Sequence, residues 1–207
     1  MKLTKVQAQA NRAHVVKTAS ALFRERGYDG VGVVDLMAAA GFTQGGFYKQ
    51  FRSKTDLMAE SAACGIEQTV ELTKGIDLST FVNSYLSREH RDNRAEGCTM
   101  AALGSDAARQ TQEVKRTFAA GIESLLQALE KECPASERAG NNEARAKSID
   151  TFAHIVGALV LSRACPDDSP LADEILAVCR GKILGALAEQ EGVPPPAAAH
   201  ATQSDVA

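Results

Sequence analysis

Few side chains in this sequence are spaced to do covalent chemistry, and the first to test are His90-Arg91-Asp92 and the nearby Cys98. A His-Arg-Asp triplet suits a phosphoryl-transfer loop only if an asparagine follows the aspartate by five residues. Gly97 stands there, and no glycine-rich phosphate loop precedes the triplet. His90 and Cys98 have the types of a base and a nucleophile, but no third orienting group lies at recognisable spacing. His14, His154 and His200 are scattered, so no metal triad forms. The five cysteines, Cys64, Cys98, Cys133, Cys165 and Cys179, hold no Cys-x-x-Cys pair and read as reduced thiols. Neither an enzyme nor a cofactor or metal protein is expected. Cys98 follows a basic run (Arg88, His90, Arg91, Arg94), which leaves a redox- or electrophile-sensing thiol as an alternative to an inert buried one.

The other grouping with chemical content is TQGGFYKQF, Thr43 to Phe51. Phe47 and Phe51 sit four apart on one face of a short helix, and Thr43 is placed to cap it. Gly45 and Gly46 fall in its first turn, although each glycine costs a helix about 1 kcal/mol relative to alanine. The polar residues beside them, Gln44, Tyr48 and Lys49, are hydrogen-bonding types with no local partner in the sequence pattern.

Charge divides unevenly around this stretch. Residues 1–54 hold nine Lys/Arg against three acids, and the remainder hold 14 against 23, so a +6 end precedes a −9 body. A small basic end suits a polyanion, whereas an acidic body does not hold one.

The elements that must position these residues are helical throughout. Val15, Ala19, Leu22 and Phe23 mark a first helix that stops at Gly27. A second runs from about Val33 to Ala40, Gly41 ends it, and the opening stretch forms a third. Ser53 and Asp56 make a capping box for a fourth, Lys54 to about Leu72. Further helices are marked by Leu78, Phe81, Val82 and Tyr85, and by the glycine-punctuated 94–105. Others are marked by Val114 to Leu129, by an all-round apolar segment 149–161, and by Leu171 to Leu187. A helix apolar on every side is expected to be buried on every side. Pro134 and residues 140–142 mark a break. No strand alternation and no repeat occurs, so the fold class is all-α with about nine helices. The charged, polar start lacks a secretory apolar core, and no apolar run reaches about 18 residues, so a cytoplasmic chain without membrane contact is expected.

Three short N-terminal helices joined by tight turns form a helix-turn-helix, whose third helix enters the DNA major groove. From Val15 to Leu57 the chain resembles the TetR/AcrR family of transcriptional regulators. The resemblance lies in Gly27-Tyr28, Ala40-Gly41-Phe42-Thr43, Phe47-Tyr48-Lys49-Gln50-Phe51 and Ser53-Lys54, in that order. It departs at Val31-Gly32, where the family carries hydroxyl residues, and at the apolar Val34. Side-chain contacts to DNA from the second helix are therefore expected to be weak.

The resemblance implies a DNA-binding domain over 1–54, a helical ligand-binding and dimerisation domain over 55–190, and a disordered tail over 191–207. It implies double-stranded DNA contact by Thr43, Gln44, Gly45, Gly46, Tyr48, Lys49 and Lys54. Gln44 would read an adenine edge, and Thr43, Tyr48 and Lys54 would hold phosphates. It implies a homodimer on a palindromic operator, released by a small, apolar or aromatic effector. Expected effector contacts are Phe81, Tyr85, Cys98, Met100, Leu103, Phe118, Ile122, Phe152 and Ile155. Expected dimer contacts are Val156, Gly157, Val160, Ile175, Leu176, Ile183 and Leu184. Activation of transcription or an architectural role on DNA is equally compatible with the helix-turn-helix.

Overall fold

The structure is a computed structural model, which describes residues 4–131 and 141–191. Nine α-helices and one 3-10 helix make up the described residues, with no strand among them. They are α1 (Lys5–Arg26), α2 (Val33–Ala39), the 3-10 helix Gln44–Lys49, α3 (Lys54–Thr73), α4 (Leu78–Tyr85), α5 (Arg88–Asp92), α6 (Thr99–Ala107), α7 (Gln112–Lys131), α8 (Asn141–Ala164) and α9 (Pro170–Glu191). The break expected at Pro134 and the tail expected from Gly192 onward lie outside the described residues, as does Cys133.

Capping chemistry sets several starts. The Thr4 hydroxyl accepts from Gln7 N at 3.2 Å, so α1 begins at Lys5, ten residues before the apolar stripe that starts at Val15. The Asp77 carboxylate accepts from Thr80 N at 2.9 Å at the head of α4. At α3 the Ser53 hydroxyl accepts from Asp56 N at 3.1 Å, half of the expected capping box. The return bond is displaced by one residue: Asp56 accepts from Arg52 N at 3.1 Å and from the Arg52 guanidinium at 3.2 Å. Burial pushes the Asp56 carboxyl up, but these bonds from Arg52 outweigh it and hold the group below its ordinary range.

The long helix α3 organises the molecule. One side packs on α1 and another on α7, while α6 sits against α1, α3, α7 and α8. Val15, Ala19 and Phe23 of α1, Leu57, Ala62 and Ile66 of α3, and Val114, Phe118 and Leu125 of α7 are buried in one continuous core. The α8–α9 pair covers the far side through Ile155, Leu159, Leu176 and Ile183.

The all-round apolar segment of α8 departs from expectation. Ile155, Ala158 and Leu159 are buried, but Leu161 is 60% exposed and Val160 43%. Contacts from α5, α6, α7 and α9 cover part of the helix circumference, and the remaining apolar face stays open on the single chain.

Candidate nucleic-acid interface and ligand cleft

The stretch Thr43–Phe51 differs from the expected α-helix: Gln44 to Lys49 form a 3-10 helix. Gly46 N donates to Thr43 O at 3.0 Å and Gln50 N to Phe47 O at 2.9 Å, both three residues apart. Two glycines in six residues leave too little propensity for a wider α-turn, and packing dictates the geometry instead. Thr43 occupies the N-cap in extended conformation, but its side chain makes no capping bond, contrary to expectation. Gly41, at φ 76°, supplies the left-handed step that turns the chain from α2 into this element.

Two aromatic rings anchor the 3-10 helix. Phe47 is fully buried and Phe51 nearly so, with ring centroids 5.4 Å apart. Arg12 of α1 locks its end. The Arg12 guanidinium lies 4.7 Å over the Phe51 ring, donates to Gln50 O at 3.2 Å, and forms a two-bonded ion pair with Glu60 of α3. The remaining side chains face outward: Thr43, Gln44, Gly45 and Lys49 are exposed, and Tyr48 is 71% exposed with its ring edge-on to Phe47. A methyl on Gly45 would meet no other atom within 4 Å, and one on Gly46 would meet only Met37 Cε at 3.5 Å. Neither glycine has a positive φ. Internal packing therefore does not require either one.

Lys54 is tied inward more than expected. Its ammonium donates to Tyr28 O at 2.6 Å and lies 5.9 Å from the Phe23 ring, joining α3 to the α1–α2 turn. The start of α2 follows the sequence reading: Gly32 caps it without a side-chain bond, and Val34 is 54% exposed.

Two struts connect this N-terminal unit to α6 and the segment before it. The buried Arg24 donates to Ala95 O at 2.7 Å and to the Ser20 hydroxyl at 2.7 Å. The Asp106 carboxylate near the end of α6 accepts from Tyr28 N at 3.1 Å.

The N-terminal end of α6 borders a cleft of about 460 Å³ between α3, α4, α5 and residues 93–98. Of the expected effector contacts, Phe81, Tyr85 and Cys98 line it. Met100, Leu103, Phe118 and Ile155 do not; they are buried in the core, where neighbours fill the space around them. Phe152 packs partly buried against that core, and Ile122 is 39% exposed on α7. The lining instead includes Leu72, Thr80, Ser84, Glu89, His90 and Glu96, most of them polar. Helical periodicity marks apolar faces, and it cannot mark polar residues that face a hollow.

His90 holds this cleft together. Its Nε2 accepts from Cys98 N at 3.1 Å, so the proton sits on Nδ1, which donates to Tyr85 O at 2.7 Å. Burial lowers the imidazole pKa, and the bond to Tyr85 O opposes this without reversing it. Both ring nitrogens are thus committed to backbone groups, and neither takes a proton from the Cys98 thiol. Arg163 of α8 donates to the carbonyls of Arg91 at 3.0 Å and His90 at 2.8 Å from behind. Gly97 permits this convergence: a methyl there would lie 2.9 Å from the Arg163 guanidinium and 3.0 Å from Asn93 O. The Tyr85 hydroxyl is buried beside Cys98 without a well-formed hydrogen bond, and burial pushes its pKa well up. Among the described residues no group of three or more His, Cys, Asp or Glu side chains converges as a metal site.

On α8 and α9 the expected contact residues divide. Leu176 and Ile183, expected at a dimer contact, are buried against the chain's own core. Val156, Ile175 and Leu184 are partly buried, and Val160 is exposed. Leu161, Leu171 and Val178, not anticipated, are each more than half exposed. Methyls on Gly157, Gly181 or Gly185 would meet nothing within 4 Å.

The geometry can now be set beside known proteins. The family profile described as "Bacterial regulatory proteins, tetR family" matches residues 15–60, from α1 through the 3-10 helix into α3. Over these residues, the N-terminal unit of the chain, the sequence matches the TetR family. The chain is 37% identical over 57 residues to the HTH-type transcriptional regulator AcrR of Shigella flexneri. The match covers 28% of the chain and about a quarter (26%) of that relative. A TetR transcriptional regulator from Chloroflexus aurantiacus superposes with a TM-score of 0.70 at 21% identity, over 88% of this chain and 96% of the other. AibR, in complex with isovaleryl coenzyme A and operator DNA, superposes with a TM-score of 0.53 at 17% identity, over 83% and 97%. At such identities these superpositions show the shared fold alone. No helix among its described residues is long and apolar enough to cross a membrane.

Proposed function

We propose that this chain is a ligand-responsive repressor that binds a palindromic operator as a homodimer. Residues 1–54 form its DNA-binding domain and residues 55–190 its effector-binding and dimerisation domain. The observation that carries the reading is the 3-10 helix. Its aromatic pair is buried, while Gln44, Gly45, Tyr48 and Lys49 project outward with no structural task. A carboxamide at the start of such an element pairs with an adenine edge, and the bare backbone at Gly45 and Gly46 allows close approach to the duplex. The Thr43 and Tyr48 hydroxyls and the free donors of Lys54 and Lys49 serve phosphates.

Two features support dimerisation and coupling. The exposed apolar face of α8–α9, with Val160, Leu161 and Val178 beside glycines that nothing approaches, suits a second copy of the same surface. The cleft touches the N-terminal end of α6, and the other end of α6 holds the α1–α2 turn through Asp106 and Tyr28 N. A ligand that shifts α6 thereby changes the spacing of the two reading elements, which half-sites ~34 Å or a multiple apart constrain.

Selection of bound DNA from a genomic library by the purified chain tests the reading. A palindromic consensus supports it, and salt-sensitive binding without sequence preference overturns it. Gln44→Ala is expected to change the preferred bases. Lys54→Ala is expected to weaken binding to all sequences alike and to reduce the salt slope by about one.

A further inference from the structure

The lining of the cleft constrains what it can take. Its wall is aromatic and continuous: Phe81 and Tyr85 lie 5.4 Å apart between ring centroids, and Tyr85 and His90 4.5 Å apart. Its ionisable lining contains two carboxylates, Glu89 and Glu96, and no lysine or arginine. Both glutamates are exposed, and neither takes part in an ion pair among the described residues. The imidazole of His90 adds a ring without adding charge, since its Nε2 is occupied by the Cys98 N–H. Two guanidiniums lie behind the wall and both are spent: Arg163 on the carbonyls of His90 and Arg91, and Arg24, which also faces Glu96, on Ala95 O and the Ser20 hydroxyl.

A second, independent feature is the Tyr85 hydroxyl. The residue is 5% exposed and lines the cleft, and its oxygen sits beside the Cys98 thiol without a well-formed hydrogen bond. A buried phenol left in this state accepts a bond from any donor that reaches it.

We propose that the cleft binds a cationic aromatic effector, an aryl amine or arylalkylammonium, with its ring on Phe81 and Tyr85 and its positive group toward Glu89 and Glu96. The inference rests on the reading of the chain as a ligand-responsive regulator and names the ligand class for that same cleft. Aromatic faces attract a cation through their quadrupole, and desolvation strengthens the attraction. The Tyr85 oxygen offers a further acceptor once its contact with the Cys98 thiol opens. An anionic effector would bring its charge against two carboxylates with no compensating lysine or arginine in the lining. A volume of about 460 Å³ suits one or two fused rings with a short side arm.

The test uses the full chain and three probes of one shape: 2-naphthylmethylammonium, 2-naphthylmethanol and 2-naphthoate, with Kd read by calorimetry. The ammonium is expected to bind about tenfold tighter than the alcohol, with the carboxylate weakest. In the Glu89→Gln/Glu96→Gln variant the ammonium and alcohol are expected to converge to within about threefold, and Phe81→Ala is expected to weaken both. The glutamates are exposed, so the double variant retains the fold, which circular dichroism checks. Equal wild-type binding of ammonium and alcohol, no ammonium binding at millimolar concentration, or a preference that survives both Gln substitutions overturns the proposal. Operator binding is measured separately with and without the ammonium. An ammonium that binds with the stated preference yet leaves the operator complex intact refutes the effector role of the cleft and not the ligand class.

Discussion

The 3-10 helix Gln44–Lys49 and the cleft beside α6 are built on opposite plans. In the first, aromatic rings point inward and polar side chains outward, with Phe47 fully buried and Tyr48 71% exposed. In the second, aromatic rings line a hollow, and polar groups such as the Tyr85 hydroxyl and Arg163 are sealed in or behind the wall. One surface carries information on a rigid ridge. The other carries it in the shape and charge of a cavity made by four separate segments. A ridge depends on a few anchors close in sequence, and a cavity depends on distant residues holding its walls apart.

The contrast can be broken first at the anchor. Phe47→Ala removes a ring with no exposed surface, and a loss of about 3–5 kcal/mol is expected by urea denaturation, with DNA binding abolished. Little loss of stability would show that the ridge does not depend on its aromatic pair.

The wall of the cleft should respond next. Arg91 is 1% exposed and donates to Ser162 O, the Ser162 hydroxyl and Cys165 O, joining α5 to the end of α8. Arg91→Ala removes all these donors and leaves Cys165 O without its side-chain partner, while Ser162 O keeps its bond from Cys165 N, and a loss of about 3 kcal/mol is expected in the same assay. Effector affinity should fall while DNA binding by the folded fraction persists.

Gly46→Ala sharpens the comparison from the other side. The added methyl meets only Met37 Cε, at ordinary contact distance, and helix propensity favours alanine. Stability is expected to hold or to rise by less than ~1 kcal/mol while operator affinity drops by an order of magnitude, measured by mobility shift. Equal losses of both would return this glycine to a packing role.

The smallest effect concerns His90. Burial depresses its folded pKa below the ordinary 6.5, so the unfolded chain binds more protons between those two values. Its contribution is therefore present above about pH 6.5 and is lost as pH falls through the folded value. Melting temperature should fall on acidification more steeply for the wild type than for His90→Ala, and parallel slopes would remove His90 from the account.

A fifth measure joins the two regions. Asp106→Ala removes the acceptor for Tyr28 N at the far end of α6. It is expected to leave both binding sites intact and to weaken the effect of effector on operator affinity.

Legibility followed the same division. Gly27-Tyr28, Ala40-Gly41 and Phe47 through Phe51 are close in sequence, so spacing and charge were enough to locate the helix-turn-helix and most of its exposed residues. Three features of it were not legible. The 3-10 form was not, because glycine propensity weakens a helix without naming its replacement. The idle Thr43 side chain was not, because a capping residue type does not guarantee a capping bond. Nor was the inward strut from Lys54 to Tyr28 O, which spans 26 residues. In the larger part, apolar periodicity placed the helices but spoke equally for core, cavity and outer face. Met100, Leu103 and Phe118 are packed core, whereas Phe81 lines the cleft.

By itself the sequence determined the all-α class, most helix boundaries, the basic N-terminal unit and its aromatic anchors, because these follow from local spacing, caps and charge. Tertiary structure alone decided which apolar faces meet solvent, and that His90 binds backbone on both sides. It also decided that Glu89 and Glu96 share a cleft with Phe81 and Tyr85. Those outcomes depend on how α3, α4, α5, α6 and α8 pack, and helix packing sets distances that no one-dimensional pattern encodes.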